Sequence, residues 1–429
     1  MVDRVAIAIP VFLLMVCVEL VYGTVVGRNT YKLVDTISNL MVGTLGRLRT
    51  FINVSLFAGV FVATETRTGR VTLSSDDIWV CIAAFVGYDF CYYWAHRFSH
   101  ESRILWATHV VHHQSECFNL STALRHSSTG YLTVVFYLPL ILIGFSAELI
   151  ATVGAISLAY QFWVHTEHIG RLGPLEWILV TPSNHRVHHA RNPEYLDKNH
   201  GGVFIVWDRL FGTFAAEDPT ILCAYGITHP PHTLNPLWAN LHVWFENLTE
   251  MRRAHRFVDR VLVWIKSPAW RPYHRRVTPV PSWRPTIFEN AAPKKIQRYV
   301  LVQITSLIVG LLLARFATLD RVMGLLLLAL ALASLHTQAT LLEMRRSALH
   351  RERIRLAAVG VTAWYGVIIA NAWTPAVALV MSVHTLGSAA TTLRFRPADD
   401  GKGDQTRHLV GVTATALPPE RHNNAGELG

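Results

Sequence analysis

Long apolar runs recur along this chain, and they limit its fold more than any other feature. A helix needs about 20 mostly apolar residues to cross the ~30 Å hydrocarbon core of a bilayer. Such runs lie at roughly 5–26, 78–95, 129–146, 147–165, 299–316, 321–338, 354–371 and 374–391, with a shorter one near 50–64. Any single run could be a buried core helix, but eight or nine in 429 residues cannot all share one soluble core. Composition agrees, with 51% hydrophobic and only 16% charged residues, where an ordinary soluble domain has about 25% charged. A disordered chain, a coiled coil and a typical cytosolic enzyme are excluded. The expected fold is all-α, a multi-pass integral membrane protein with about nine transmembrane helices. The first run, Val5 to Gly23, is too long for the apolar region of a cleaved signal.

Basic residues give an independent test, because Lys and Arg collect in cytoplasmic loops. With 166–298 in the cytosol, nine spans also place 27–49 there, with Arg28, Lys32, Arg47 and Arg49. The 339–355 loop follows, with Arg345, Arg346, Arg351, Arg353 and Arg355. The opposite-side loops, 65–77 and 317–320, carry no basic excess. The membrane would be a bacterial inner membrane or the endoplasmic reticulum. The expected domains are a histidine-bearing catalytic block at 1–298, a four-span block at 299–392 and a disordered polar tail at 393–429.

The net charge of +10 is local. Twelve Lys and Arg between Arg252 and Arg298 face only Asp259 and Glu289, and the rest of the chain is balanced. This connector sets topology and is expected to lie against anionic headgroups. No nucleic-acid recognition fold accompanies it, so nucleic acid is not an expected partner. The five cysteines are scattered, giving neither a disulfide framework nor a thiolate metal site.

Twelve of the 22 histidines fall between His96 and His200, and they are patterned. His96 and His100 form an H-x3-H. His109, His112 and His113 form an H-x2-HH, and His185, His188 and His189 repeat it. Helical positions i, i+3 and i+4 share a face, so each cluster is expected to aim its imidazoles at a common point. The clusters sit just past the ends of the 78–95 and 147–165 runs, which would bring them together at the cytosolic membrane face. Imidazole suits Zn, Cu, Fe and Ni, and eight such ligands exceed one tetrahedral site. Two metal ions are therefore expected. His165 is a candidate ninth ligand, with His126, His168 and His200 weaker ones. Asp89 lies within a span, seven residues before His96. An acid there is a functional hypothesis by default, expected to fix ligand tautomers. Glu101, beside His100, could orient a ligand or bind metal. Asn184, Arg186, Asn192, Asp197 and Asn199 surround the third cluster and could order its loop. A metal transporter or sensor stays open, although transporters place ligands near the midplane on broken helices.

The segments Asp89-Phe-Cys-Tyr-Tyr-Trp-Ala-His-Arg-Phe-Ser-His100, Trp106-Ala-Thr-His-Val-Val-His-His113, Asn184-His-Arg-Val-His-His189 and Trp207-Asp-Arg-Leu-Phe-Gly212 resemble the fatty acid hydroxylase / sterol desaturase superfamily of membrane di-iron enzymes. The likeness covers about 80–215. His100-Glu101, Asn119-Leu-Ser-Thr-Ala-Leu-Arg125, Gln161-Phe-Trp-Val-His-Thr-Glu167 and the extra C-terminal spans resemble its alkylglycerol monooxygenase branch. The resemblance implies two iron ions (Fe2+), O2 and tetrahydrobiopterin or another reductant or electron donor. It implies a membrane lipid substrate, oxidised at the ether-adjacent carbon. A sterol, another acyl chain or a carotenoid is the alternative substrate. The eight motif histidines correspond to family ligands and Glu101 to an acid of that branch.

Overall fold

The computed structural model describes residues 4–51, 56–68, 73–272, 292–314, 319–368 and 373–395. The polar tail from 396 and part of the basic connector, 273–291, lie outside them. Among the described residues the chain is helical, without a strand longer than an isolated bridge.

The N-terminal part comprises α1 (Arg4–Val25), α2 (Leu33–Phe51), α3 (Leu56–Thr68) and α4 (Ile78–Glu101). Next come α5 (Arg103–His109), α6 (Leu138–Ile143), α7 (Ala147–Trp163), α8 (Pro182–His189), α9 (Val206–Leu210), α10 (Pro236–Arg253) and α11 (Phe257–Ile265). The C-terminal block is α12 (Lys294–Ala314), α13 (Arg321–Leu342), α14 (Ala348–Ile368) and α15 (Pro375–Thr392).

Three of these, α4, α12 and α13, are long and apolar enough to cross a membrane. Their apolar faces are matched by others that meet no protein: Leu14, Val18 and Val21 on α1, and Val380, Val383 and Leu386 on α15, are each 60% exposed or more. Exposed apolar surface on this scale needs a lipid or protein cover. The 129–146 run departs from expectation. It is a 3-10 segment, Leu132–Tyr137, followed by the six-residue α6, which stops at Gly144 with φ 118°. Pro139 at the start of α6 and left-handed Gly144 at its end confine it to a short helix.

The two blocks share a core. Ile37, Met41 and Leu45 of α2 pack with Val300 and Ile304 of α12 and Leu335 and Ala339 of α13. The C-terminal block is thus fixed against the helix that flanks the histidines. Within it, Glu352 and Arg355 form a buried pair at 2.6 Å, joined by Tyr299, Gln303 and Gln338. Apolar surroundings make such a pair tolerable only when its hydrogen bonds are met.

Candidate metal centre

The site is assembled on four helical ends, one of them that of α7, which His165 follows. α4 carries His96 and His100 into its last turns, and α5 ends at His109. The chain then tightens into a 3-10 turn, Val110–Gln114, bearing His112 and His113. α8 is started by Thr181 and Asn184 in a capping box with Pro182 at its first position. That sequence stops the helix from sliding, and so fixes His185, His188 and His189.

Nine histidines converge into two groups. Ring nitrogens of His96, His100, His109, His113 and His188 lie within 4.8 Å of one another, and so do those of His112, His165, His185 and His189. The groups adjoin, with the His113 and His189 rings stacked at 4.4 Å. The expectation that each sequence cluster serves one point is corrected: both H-x2-HH motifs are split. On α8, His185 and His189 are one turn apart and their Nε2 atoms approach to 3.1 Å. His188, about 100° around the helix from His189, turns to the other group.

Donor geometry fits a pair of metal ions. His96 and His113 Nε2 lie 3.0 and 3.1 Å from His109 Nε2, and His165 Nε2 lies 3.0 Å from His185 Nε2. Two imidazoles bound to one ion at ~2.1 Å stand about 3 Å apart when adjacent. The Nε2 atoms of His100 and His188 are buried without a hydrogen-bond partner, as a lone pair awaiting a cation would be. Four of the outward nitrogens are held by backbone carbonyls. Nδ1–H of His96 donates to the His200 carbonyl at 2.8 Å, His188 to Lys198 at 2.9 Å, His165 to Gln161 at 2.8 Å and His112 to Arg125 at 3.2 Å. Each bond fixes the tautomer that directs Nε2 inward. Burial, reinforced by neighbouring imidazoles, holds His109, His112, His113, His185, His188 and His189 well below the usual imidazole range. They are neutral at physiological pH, which is the ligating form.

The turn 197–200 is the outer support of the five-histidine group. Asp197 and Asn199 have φ of 55° and 56°, a conformation that costs energy outside glycine but suits Asn and Asp best. It turns the Lys198 and His200 carbonyls toward His188 and His96, and sets the Asp197 carboxylate 3.5 Å from His100 Nδ1. Two buried acids clamp the end of this turn and the chain beyond it. Asp208 accepts from the His200 and Gly201 amides, both at 2.7 Å. Asp89 accepts from the Val203 and Phe204 amides and the Trp207 indole at 2.7, 3.0 and 3.0 Å. A Cβ on Gly202 would sit 2.8 Å from the Asp89 carboxylate, so the loop must lack a side chain there.

Two acids therefore differ from the expectation. Asp89 touches no histidine and acts on the loop that orients them. Glu101 stands outside both groups, partly exposed, paired with Arg97 at 2.9 Å. His126, His168 and His200 also lie outside the groups. His200 packs against the His96 and His188 rings, and His168 against Tyr22. Around the third cluster, Asn184 caps α8, Asn199 donates to the Asn184 and Ala215 carbonyls, and Asn192 bridges to Leu222 and Ala224. Arg186 makes a two-pronged bond to Glu217, both contacts at 2.7 Å.

Two residues to which the sequence assigns no role prove structural to the site. Buried Arg125 donates to the Val111 carbonyl and to Asn39, pinning the segment that carries His112 and His113. Asp208 is the other. Gly43 and Gly46 let α2 approach this region, since a Cβ on either would meet the Leu124 or His126 carbonyl at 2.6 Å. A glycine pair three residues apart was the available signal.

Helices with apolar outer faces around two converging imidazole groups define a membrane protein with a candidate metal centre. Comparison with known proteins gives the family. Residues 81–213 match the fatty acid hydroxylase family. Alkylglycerol monooxygenase of Homo sapiens is 36% identical over 82% of this chain and 81% of its own length. The Danio rerio protein of that name is 34% identical over 88% of this chain and 86% of its own. Ornithine lipid hydroxylase OlsE of Rhizobium tropici is 32% identical over 29% of this chain and 39% of its own. No solved structure matches. The chain belongs to the fatty acid hydroxylase family, as a relative of its alkylglycerol monooxygenases. It is an oxidoreductase that hydroxylates lipid.

Proposed function

We propose that this chain is a di-iron monooxygenase that cleaves alkylglycerol ether lipids. His96, His100, His109, His113 and His188 would hold one iron ion, and His112, His165, His185 and His189 the other. The observation that carries this is the pair of converging imidazole groups, in which backbone carbonyls hold the outward nitrogens of His96, His112, His165 and His188. Iron is favoured over zinc because the family relationship calls for oxidation. When bound, the irons supply O2 activation with two electrons from tetrahydrobiopterin or another donor.

The protein's own part is positional. The 197–200 turn and the Arg125 carbonyl keep the imidazoles oriented before metal arrives, so little reorganisation accompanies binding. Burial excludes bulk water from the oxidation. Hydroxylation next to the ether oxygen gives a hemiacetal, which collapses to a fatty aldehyde and a glycerol-type alcohol. The relatives named as alkylglycerol monooxygenases extend over most of this chain, whereas the OlsE likeness is confined to a shorter region. That difference favours the ether-lipid substrate over another lipid.

The proposal includes a multi-pass arrangement with the metal centre on the cytosolic face, a catalytic block at 1–298, a four-span block at 299–392 and a cytosolic tail from 393; the nine-span count holds only if the short Leu132–Ile143 segment crosses with α7. α11 supports the orientation: Phe257, Val258 and Ile265 are exposed while Arg252, Arg253, Arg256, Arg260 and Lys266 surround them. A helix of that pattern lies in the interface of an anionic membrane.

Purified iron-loaded protein given an alkylglycerol, O2 and reduced pterin is expected to release the fatty aldehyde. Intact iron with no aldehyde would sink the substrate assignment. Glu101, which we assign to the reaction rather than to metal binding, is expected to behave differently from a ligand. Glu101→Gln should keep full iron content in metal analysis while lowering turnover. Iron loss on the scale of a histidine variant would return it to the ligand set.

A further inference from the structure

We infer that α12 of the C-terminal block forms a wall of the chamber for the substrate's alkyl chain, and that Ile308, Leu311 and Leu312 set the chain length accepted. The inference rests on the ether-lipid reading and extends it. A cavity of about 140 Å³ reaches His112 and His165, two members of the four-histidine group. The rest of its lining is mostly apolar, with Phe12 and Leu13 of α1, Leu158 of α7 and the three α12 residues, and its other polar members are Thr44, Arg47, His126 and Gln161.

Several features select an alkyl chain as the occupant. One end of the cavity meets the four-histidine group, and one wall is α12, a helix long and apolar enough to cross a membrane. The second cavity, about 620 Å³, is lined by Lys32, Asp35, Glu116, Arg125, Lys294 and Arg298. A hydrocarbon there would strip water from charged groups, which costs more than its own burial returns. Position along α12 agrees. Ile308 is 14 residues beyond Lys294, ~21 Å along the axis, so the basic end meets the charged cavity while the leucines meet the chain. The shared core of α2, α12 and α13 holds this wall in register. The block that shows no chemistry in its sequence thereby acquires a part in specificity.

Photolabelling tests occupancy without turnover. A long alkylglycerol with a diazirine at its chain end, photolysed in the full-length iron-loaded protein, is expected to label α12 around Ile308–Leu312. Labelling confined to other helices would overturn the inference. Labelling of α12 without ether cleavage would support the chamber and discard only the ether reaction. Turnover supplies a second arm. Leu311→Trp and Leu312→Trp should lower kcat/KM for a long chain relative to a short one by about tenfold or more, the scale of a hydrophobic pocket losing a methylene or two. Leu313→Trp, on the exposed face at 62%, should leave that ratio unchanged. Ile308→Ala and Leu311→Ala, which add space without a clash, should shift preference toward longer chains. An unaltered chain-length profile in these variants at normal iron content refutes the assignment.

Discussion

Alanine at His185 is expected to strip most of the iron from the four-histidine group, taking bound metal from about two ions per chain toward one and lowering turnover by more than about a hundredfold. Outer partners of a metal ligand are already worth ~10–100-fold, so a direct ligand exceeds that. His185 Nε2 lies 3.0 and 3.1 Å from those of His165 and His189, and its removal leaves three donors. His109 holds the matching central place in the other group, at 3.0 and 3.1 Å from His96 and His113. Its replacement leaves four donors, so His109→Ala should retain more iron than His185→Ala while still losing activity. His168→Ala, outside both groups, should keep full iron. Metal analysis of the purified variants decides the matter; full stoichiometry in the His185 and His109 variants would remove both residues from the ligand set.

Asp89→Ala should be the most destabilising change in the catalytic block. The carboxylate accepts three hydrogen bonds from the 203–207 segment. Each buried donor left unpaired costs ~1–3 kcal/mol, against a total stability of about 5–15 kcal/mol for a typical domain. The loop that would loosen also presents the His200 carbonyl to His96 and the Lys198 carbonyl to His188. Iron should therefore be lost mainly from the five-histidine group. Asp89→Asn keeps the shape and one acceptor oxygen but turns an amide toward a donor, so its thermal midpoint and iron content should fall between wild type and Asp89→Ala. A proton-transferring acid would behave otherwise, with normal stability and iron but a changed pH profile. That pattern would reject the positioning role.

How much of this was legible in the sequence depended on the range of the interaction. Helices over α1, α4, α7 and α12 to α15 follow from runs of apolar residues, because a helix satisfies its own backbone. The 129–146 run failed as a single helix because Pro139 and Gly144 act locally and hydropathy does not register them. All nine candidate histidines were visible through motif spacing and, for His165, through its place at the end of a span. Asp89 and Glu101 stood out as acids near histidines, but proximity in sequence did not name their partners. Asp89 finds donors more than a hundred residues away, while Glu101 finds Arg97 one turn back on its own helix. Arg125 and Asp208 stood only as members of the resembling segments, without a role, since a lone charged residue reads as solvated until its burial is known.

The sequence by itself determined the class of fold, the family and the histidines that the fold gathers. Those properties are written in composition and in spacings of three and four residues, which a helix converts into one face whatever surrounds it. Tertiary structure alone decided how the donors divide. Each H-x2-HH motif feeds both groups because α5, the 3-10 turn and α8 meet at particular rotations, and no spacing within one motif encodes the rotation of another. The same holds for α12 beside the four-histidine group: a lipid-compatible helix looks alike from every side in sequence, and only packing against α2 gives one of its faces a chamber to line.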